Sequence, residues 1–402
     1  TTSKTDSPPT NPKTDSPPTT PKADSPPTTP KLDSPTTTPK TASPTTTPKA
    51  ASPKMLVCTF GHLGVLRAMI PPDGTCDIIF YEEVYYNQKK KSIQPTHSAR
   101  SFHVLQSLNA TYTMTTFGTS MATGAIAQSV HNDKADVMAA METLFASGMV
   151  HFGMLNVADF ENYNKGGSML YLQVVDEFLR SKGDSTRHCA LGVSLTDGTQ
   201  GKVILEKSKE ATVDFPGITM VIIKLHAGKV AGAADLWPVG PNPDGADLSK
   251  YKILTLKTLT ASLGGESLKD KLQDISQGTR WTLLSFSMAV RAYRMRDNWR
   301  APAMDQLALR AIEMDYATVC KQDREKTQSD DVTNYAYDAG AKFLAMFDDA
   351  ETFKTKTRER VKLLPESHGG IAVYKVESDD FVGDCNGGEK FVRLKSVREA
   401  LM

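Results

Sequence analysis

Two carboxylates two residues apart are the first groups in this sequence that could do chemistry. Asp159 and Glu161 sit in the run FGMLNVADFENY, residues 152–163. On an extended strand, residues i and i+2 project to the same face. Such a pair could serve one reaction, one group holding a substrate while the other moves a proton. The same spacing also arises on strands whose polar face simply meets water. His188 and His226 belong to no clustered His or Cys spacing, so packing or surface roles are expected for them. No metal site and no cofactor is predicted.

The elements that would position the pair read as strands and helices in alternation. MLVCTF, CDIIFYEEVYY and TYTMTTFG are short runs rich in β-branched and aromatic residues, and NDKADVMAAMETLFASG follows as an amphipathic helix. HFGMLNVADF, the helical MLYLQVVDEFLRSK, HCALGVSL, ITMVIIKLH, WTLLSFSMAV and GGIAVYKV continue the alternation. Strand, helix, strand over some 350 residues predicts an α/β fold with a parallel sheet and crossover helices. About eight strands fit a (β/α)8 TIM barrel with an insertion better than an open sheet.

Ahead of this lies a different kind of sequence. KTDSPPTNP, KTDSPPTTP, KADSPPTTP, KLDSPTTTP and KTASPTTTP succeed one another from Lys4 to Lys49, and 14 of the 23 prolines fall before residue 55. Such a segment cannot bury enough apolar surface to offset its ordering entropy, so residues 1–54 are expected to be disordered and partly polyproline-like. Ser, Thr and Pro at this density read as a mucin-like, O-glycosylated stalk, the alternative being an unmodified spacer or a phosphorylation substrate. The sequon at Asn109 (NAT) adds one candidate N-glycosylation site.

Charge narrows the partners. The first 54 residues carry a net +3, and the remaining 348 carry 40 basic and 42 acidic residues. Neither part has the basic excess that phosphate-backbone binding needs, which argues against nucleic acid. No apolar run approaches the ~20 residues of a membrane span. No signal peptide is visible, and the abrupt start in low-complexity sequence reads as that of a processed chain. Lys89 to Lys91, in NQKKKS, read as a solvated loop or as contacts to an acidic ligand. Without an oligomerisation signal, a monomer is expected.

The C-terminal run GGIAVYKVESDDFVGDCNGGEKFVRLKSVREAL resembles the closing strand and helix of glycoside hydrolase family 18, the chitinases and chitinase-like lectins. That family reads GG-A-M-V-W-A-x-D-x-D-D-F there, and Gly369, Gly370, Val373, Asp379, Asp380 and Phe381 match it outright. FDDAETFKTKTRERVK is similar to the family's Y-D-D-x-x-S-x-x-x-K helix start. LSFSMAVRAY is similar to its seventh strand, keeping Leu284 and Arg291. LVCTF and GTCDIIFYEEVYY match its first two strands, each with a cysteine. The resemblance spans residues 55–402 and implies a TIM barrel with a small α+β insertion at about 294–348, before the last strand. It also implies disulfides Cys58–Cys76 and Cys320–Cys385, a pairing that five cysteines alone cannot fix. Cys189 is left over as a small buried hydrophobe. Two disulfides would suit an oxidising, extracellular compartment, so a secreted protein is expected.

In the family the fourth strand reads D-G-x-D-x-D-x-E. Its Glu protonates the glycosidic oxygen, and the Asp two residues before it orients the substrate's N-acetyl group, which acts as nucleophile. The resemblance places Glu161 and Asp159 in those roles, while Val157 and Met154 replace the other two acids. The sixth-strand M-x-Y-D has no counterpart of its Tyr or Asp in ITMVIIKLHAG. The seventh-strand Tyr is Ala289, and the third-strand S-x-G-G survives only as TTFG. Tyr374 stands where the family's last-strand Trp floors the sugar site, and Tyr374, Arg291 and Trp237 are the candidate substrate-binding residues. Trp237 and Trp299 lie in loop-like segments suited to packing or to sugar stacking.

The expectation is a secreted chitinase-like protein, non-hydrolytic or weakly active. It would bind chitin or other N-acetylglucosamine-containing glycans, or a protein, at the C-terminal face of the barrel. The alternatives are an active chitinase or N-acetylglucosaminidase with Glu161 as acid, and a mucin-like coating protein whose barrel binds no sugar.

Overall fold

A computed structural model describes residues 53–122, 133–157, 168–194, 201–226, 237–238, 256–277, 279–294, 307–308, 310–320, 325–329, 333–338 and 343–402. The proline-rich repeat, Asp159, Glu161 and Trp299 lie outside the described residues.

Eight parallel strands close a ring. In chain order, the first are β1 (Met55–Phe60) and β2 (Ile78–Asn87), the latter extended by an antiparallel hairpin strand β3 (Ser92–Pro95). There follow β4 (Thr116–Met121), β5 (Met149–Val157), β6 (Cys189–Val193) and β7 (Met220–Ile223). A two-residue strand β8 (Trp237–Pro238) lies off the ring, and β9 (Trp281–Ser287) resumes it. The last ring strand, β16 (Gly369–Tyr374), pairs with β9 on one side and with β1 on the other, and β1 in turn pairs with β2. The chain is therefore a (β/α)8 TIM barrel.

Helices α1 (Ala99–Gln106), α2 (Lys134–Ala146), α3 (Ser168–Ser181) and α4 (Gly201–Asp214) make the first crossovers. α5 (Leu256–Ser262) and α6 (Leu268–Ser276) precede β9. Each ring strand alternates between two apolar environments. Leu56, Cys58 and Phe60 pack outward under the helices, whereas Val57, Phe80, Leu155, Ile222, Leu283, Ala372 and Tyr374 fill the ring. Both sides of the ring are dry, which is why its strands read as nearly continuous apolar runs.

Between β9 and β16 an antiparallel sheet rises from the barrel. It holds β10 (Val290–Arg294), β12 (Arg310–Met314), β13 (Glu325–Ser329), β14 (Thr333–Asp338) and β15 (Phe343–Phe347), in the order β12-β10-β15-β14-β13. β11 (Leu307–Ala308) pairs instead with β8. After β12 comes α7 (Tyr316–Cys320). α8 (Ala350–Leu363) leads into β16, and α9 (Val392–Leu401) covers the end of the chain. Two disulfides form, Cys58–Cys76 and Cys320–Cys385, while Cys189 is free and buried.

The strand expected across TYTMTTFG starts only at Thr116. The backbone N–H groups of Thr113, Met114 and Thr115 donate instead to the Asp73 carboxylate, at 2.7, 3.0 and 2.8 Å. A carboxylate that satisfies three successive donors holds them out of a ladder.

Candidate functional site

The strands' inward positions continue past the apolar interior into a polar layer at their C-terminal ends. Period two carries Val57 to Thr59, Phe80 to Glu82, Ile222 to Lys224, Leu283 to Ser285 and Ala372 to Tyr374. These residues interlock. The Thr59 hydroxyl donates to Glu82, and the Lys375 N–H donates to the Thr59 oxygen at 3.0 Å. The Ser285 oxygen accepts from the Leu225 N–H at 2.9 Å and meets His226 Nδ1 at 2.7 Å.

Tyr374 occupies the middle of the layer. Its side chain is 1% exposed, and its hydroxyl donates to the Leu155 carbonyl across the ring at 2.8 Å. Lys224 Nζ lies 4.5 Å from its ring centre, and the His226 ring lies 4.6 Å away. The tyrosine ring is thus roofed by the chain's own side chains, and a ligand would reach it only by displacing them. The half-buried Lys224 also donates to Asn156 Oδ1 at 2.6 Å. Burial pulls its ammonium down to about 8, with Glu82 pushing the other way.

Arg291 lies on β10, 4.0 Å from Glu313 of β12. Glu313 also meets Lys375, the residue after β16, so this chain of charges joins the antiparallel sheet to the barrel's rim. Burial works against the Glu313 carboxylate, but Lys375 holds it below its ordinary range. Trp237 is part of β8, paired with Ala308. Asn109 sits exposed in the turn after α1. Lys89 and Lys90 are exposed in the turn between β2 and β3, and Lys91 pairs with Asp136 at 3.0 Å. His188 is buried against His151, their rings stacked at 5.4 Å, and burial brings its imidazole down to about 4.

The D-D-F motif turns out to be architectural. Asp380 accepts from the N–H groups of Gly383, Asp384 and Cys385 at 2.7–3.0 Å. Asp379 holds Arg393 Nε at 2.8 Å and takes the Leu394 N–H at the start of α9.

Sequence reasoning missed two carboxyls on this face. Glu82 and Glu377 are both buried, and they line one pocket with His62, Tyr81, His97 and Lys375. The signal for Glu82 was present, since it breaks the inward apolar series Ile78, Phe80. Glu377 falls on the family's W-A-x-D acid, in YKVE. Among the described residues, no group of three or more His, Cys, Asp or Glu is arranged to hold a metal ion.

No family model matches the chain, and no curated protein matches its sequence. Solved structures do match its fold. An immunomodulatory active chitinase from Trichuris suis superposes with a TM-score of 0.61 at 12% identity, over 87% of this chain and 100% of that one. Human YKL-39, described as a pseudo-chitinase with retained chitooligosaccharide binding properties, gives 0.61 at 11%, over 87% and 99%. A chitinase-like agglutinin from Robinia pseudoacacia gives 0.56 at 11%, over 86% and 99%. The fold is that of the glycoside hydrolase family 18 chitinases and chitinase-like proteins.

Proposed function

We propose that this protein is a secreted chitinase-like binder of N-acetylglucosamine-containing glycans that hydrolyses them poorly or not at all. The observation that carries the loss of hydrolysis is Lys224 over Tyr374, and the binding half of the reading is supported by the pseudo-chitinase fold neighbour. Where the family aligns a Tyr and an Asp around the acetamido group, this chain has the buried Ile222 and Ile223 and, next to them, Lys224. An acetamido oxygen that attacks the anomeric carbon becomes part of a cation. An acid beside it stabilises that cation, and an ammonium opposes it. A like charge about 5 Å away costs about 3 kcal/mol at an effective dielectric of about 20, a loss of over ~100-fold in rate.

Fold neighbours include both an active enzyme and a pseudo-chitinase, so the fold leaves the activity open. The two disulfides support an oxidising, extracellular location. The nonapeptide repeat is, on its Ser, Thr and Pro composition, a mucin-like, glycosylated stalk.

The test is hydrolysis and binding of a labelled N-acetylglucosamine tetramer by the full chain beside its Glu161→Gln variant. The expected result is binding by both and turnover by neither. Turnover in the wild type that disappears in the variant would instead make Asp159 and Glu161 a working acid/orienter pair.

A further inference from the structure

The pocket at the ends of β1, β2 and β16 has a charge distribution that its own residues do not complete. Its carboxyls are Glu82, Glu83 and Glu377, and its basic groups are His62, His97 and Lys375. His97 is turned to Glu83 at 3.4 Å, and Lys375 to Glu313 on the antiparallel sheet. His62 faces the His97 ring at 4.7 Å, and burial lowers its pKa, so it contributes little positive charge at neutral pH.

Lys375 also acts on Glu82 and Glu377, so one ammonium is shared among three carboxyls, and Glu82 and Glu377 face the cavity together. Both approach Gly61: a Cβ there would come within 2.6 Å of Glu377 Oε1 and 3.4 Å of a Glu82 oxygen. Glycine at 61 is what lets the two carboxyls close on the same spot. Glu377 Oε1 accepts the Gly61 N–H at 2.9 Å, but Oε2 has no partner although the residue is 1% exposed. An unmatched buried carboxyl oxygen beside a second carboxyl is costly to leave so. Burial, then the neighbouring Glu82, pushes Glu377 up to about 8, with Lys375 pulling the other way.

We propose that this pocket binds the primary ammonium group of a glucosamine unit, one lacking its N-acetyl group, within a bound glycan. An ammonium has three donors and a full charge. It matches Glu377 Oε2 and Glu82 as acceptors, and seating it releases to solvent the proton that Glu377 otherwise holds, where a neutral acetamido group supplies a single N–H and no charge. Leu63, 42% exposed at the rim, offers an apolar contact for the sugar's ring. The sugar part of this assignment rests on the glycan reading above; the ammonium part rests on the two carboxyls.

Titration of the full chain at pH 7 with a glucosamine tetramer, an N-acetylglucosamine tetramer and Nα-acetyl-lysine amide tests it. The glucosamine tetramer should bind about tenfold tighter than the N-acetyl form. That ratio should fall to about one in Glu377→Gln and, independently, in Glu82→Gln, whose amide oxygen can still accept from Thr59. Thermal melts of both variants confirm that they fold. Equal wild-type affinities, or a preference that survives both substitutions, would overturn the proposal and leave the glycan reading standing. Binding of the acetyl-lysine amide as tight as that of the glucosamine tetramer would assign the pocket to a protein amine and overturn it too. Glucosamine binding that depends on Glu377, with no binding of the N-acetyl tetramer, would support the pocket and remove the N-acetyl reading instead.

Discussion

Glu377 is a residue whose titration should be visible in the stability of the whole chain. An ordinary glutamate loses its proton near pH 4.5, whereas in the folded protein this one holds it to about 8. Between those values the native state binds a proton that the unfolded state has released, so stability falls as pH rises through that window. Urea unfolding of wild type should show this decline from about pH 4.5 to 8, and Glu377→Gln should flatten it. A variant with an unchanged slope would mean that the carboxyl is not held protonated. None of this was legible from residue type. The sequence shows only an acid two positions before the D-D-F pair, and its state depends on Glu82, nearly 300 residues away in the chain. Tyr374 carries the same lesson. Its place in the motif is readable, but the Lys224 and His226 that roof its ring belong to another strand's end.

At the scale of elements, the best-matched motif holds the barrel shut rather than performing chemistry. Arg393 on α9 is 1% exposed and satisfies Asp379, the Met288 and Ser378 carbonyls at 2.8 and 3.1 Å, and the Asp348 carbonyl at 3.2 Å. Its guanidinium lies 4.0 Å from the Tyr316 ring centre. Truncating one member of such a buried pair leaves the other charge uncompensated. Arg393→Ala should cost about 3–5 kcal/mol in urea unfolding, far more than loss of the exposed Lys395–Glu389 pair. Strands and helices were largely legible, because period two and period 3.6 are local properties. Where a strand begins was not, as at TYTMTTFG. There the competing acceptor, Asp73, lies some 40 residues upstream, and no propensity scale sees it.

Over the whole molecule, two covalent ties divide the work unequally. Cys58–Cys76 spans 18 residues next to β1 and β2, whereas Cys320–Cys385 spans 65 and links α7 to the segment after β16. On the chain-entropy argument, removing the longer loop should cost about 4 kcal/mol and the shorter about 3. Thermal melts of paired Cys→Ser variants test that ranking, and a larger loss from Cys58–Cys76 would show that local packing outweighs loop length. The pairing followed from the family's pattern. The Lys375–Glu313 contact that fastens the antiparallel sheet at the rim followed from nothing in the sequence, since neither residue matches a motif.

The ring's closure also sets a timetable for synthesis. β16, the strand that seals the gap between β1 and β9, is made after more than 360 residues have been translated. Until it emerges from the ribosome, β1 and β9 present open, apolar edges to whatever is nearby. A chain stopped anywhere before residue 369 would therefore keep an open, apolar sheet rather than form a shorter barrel.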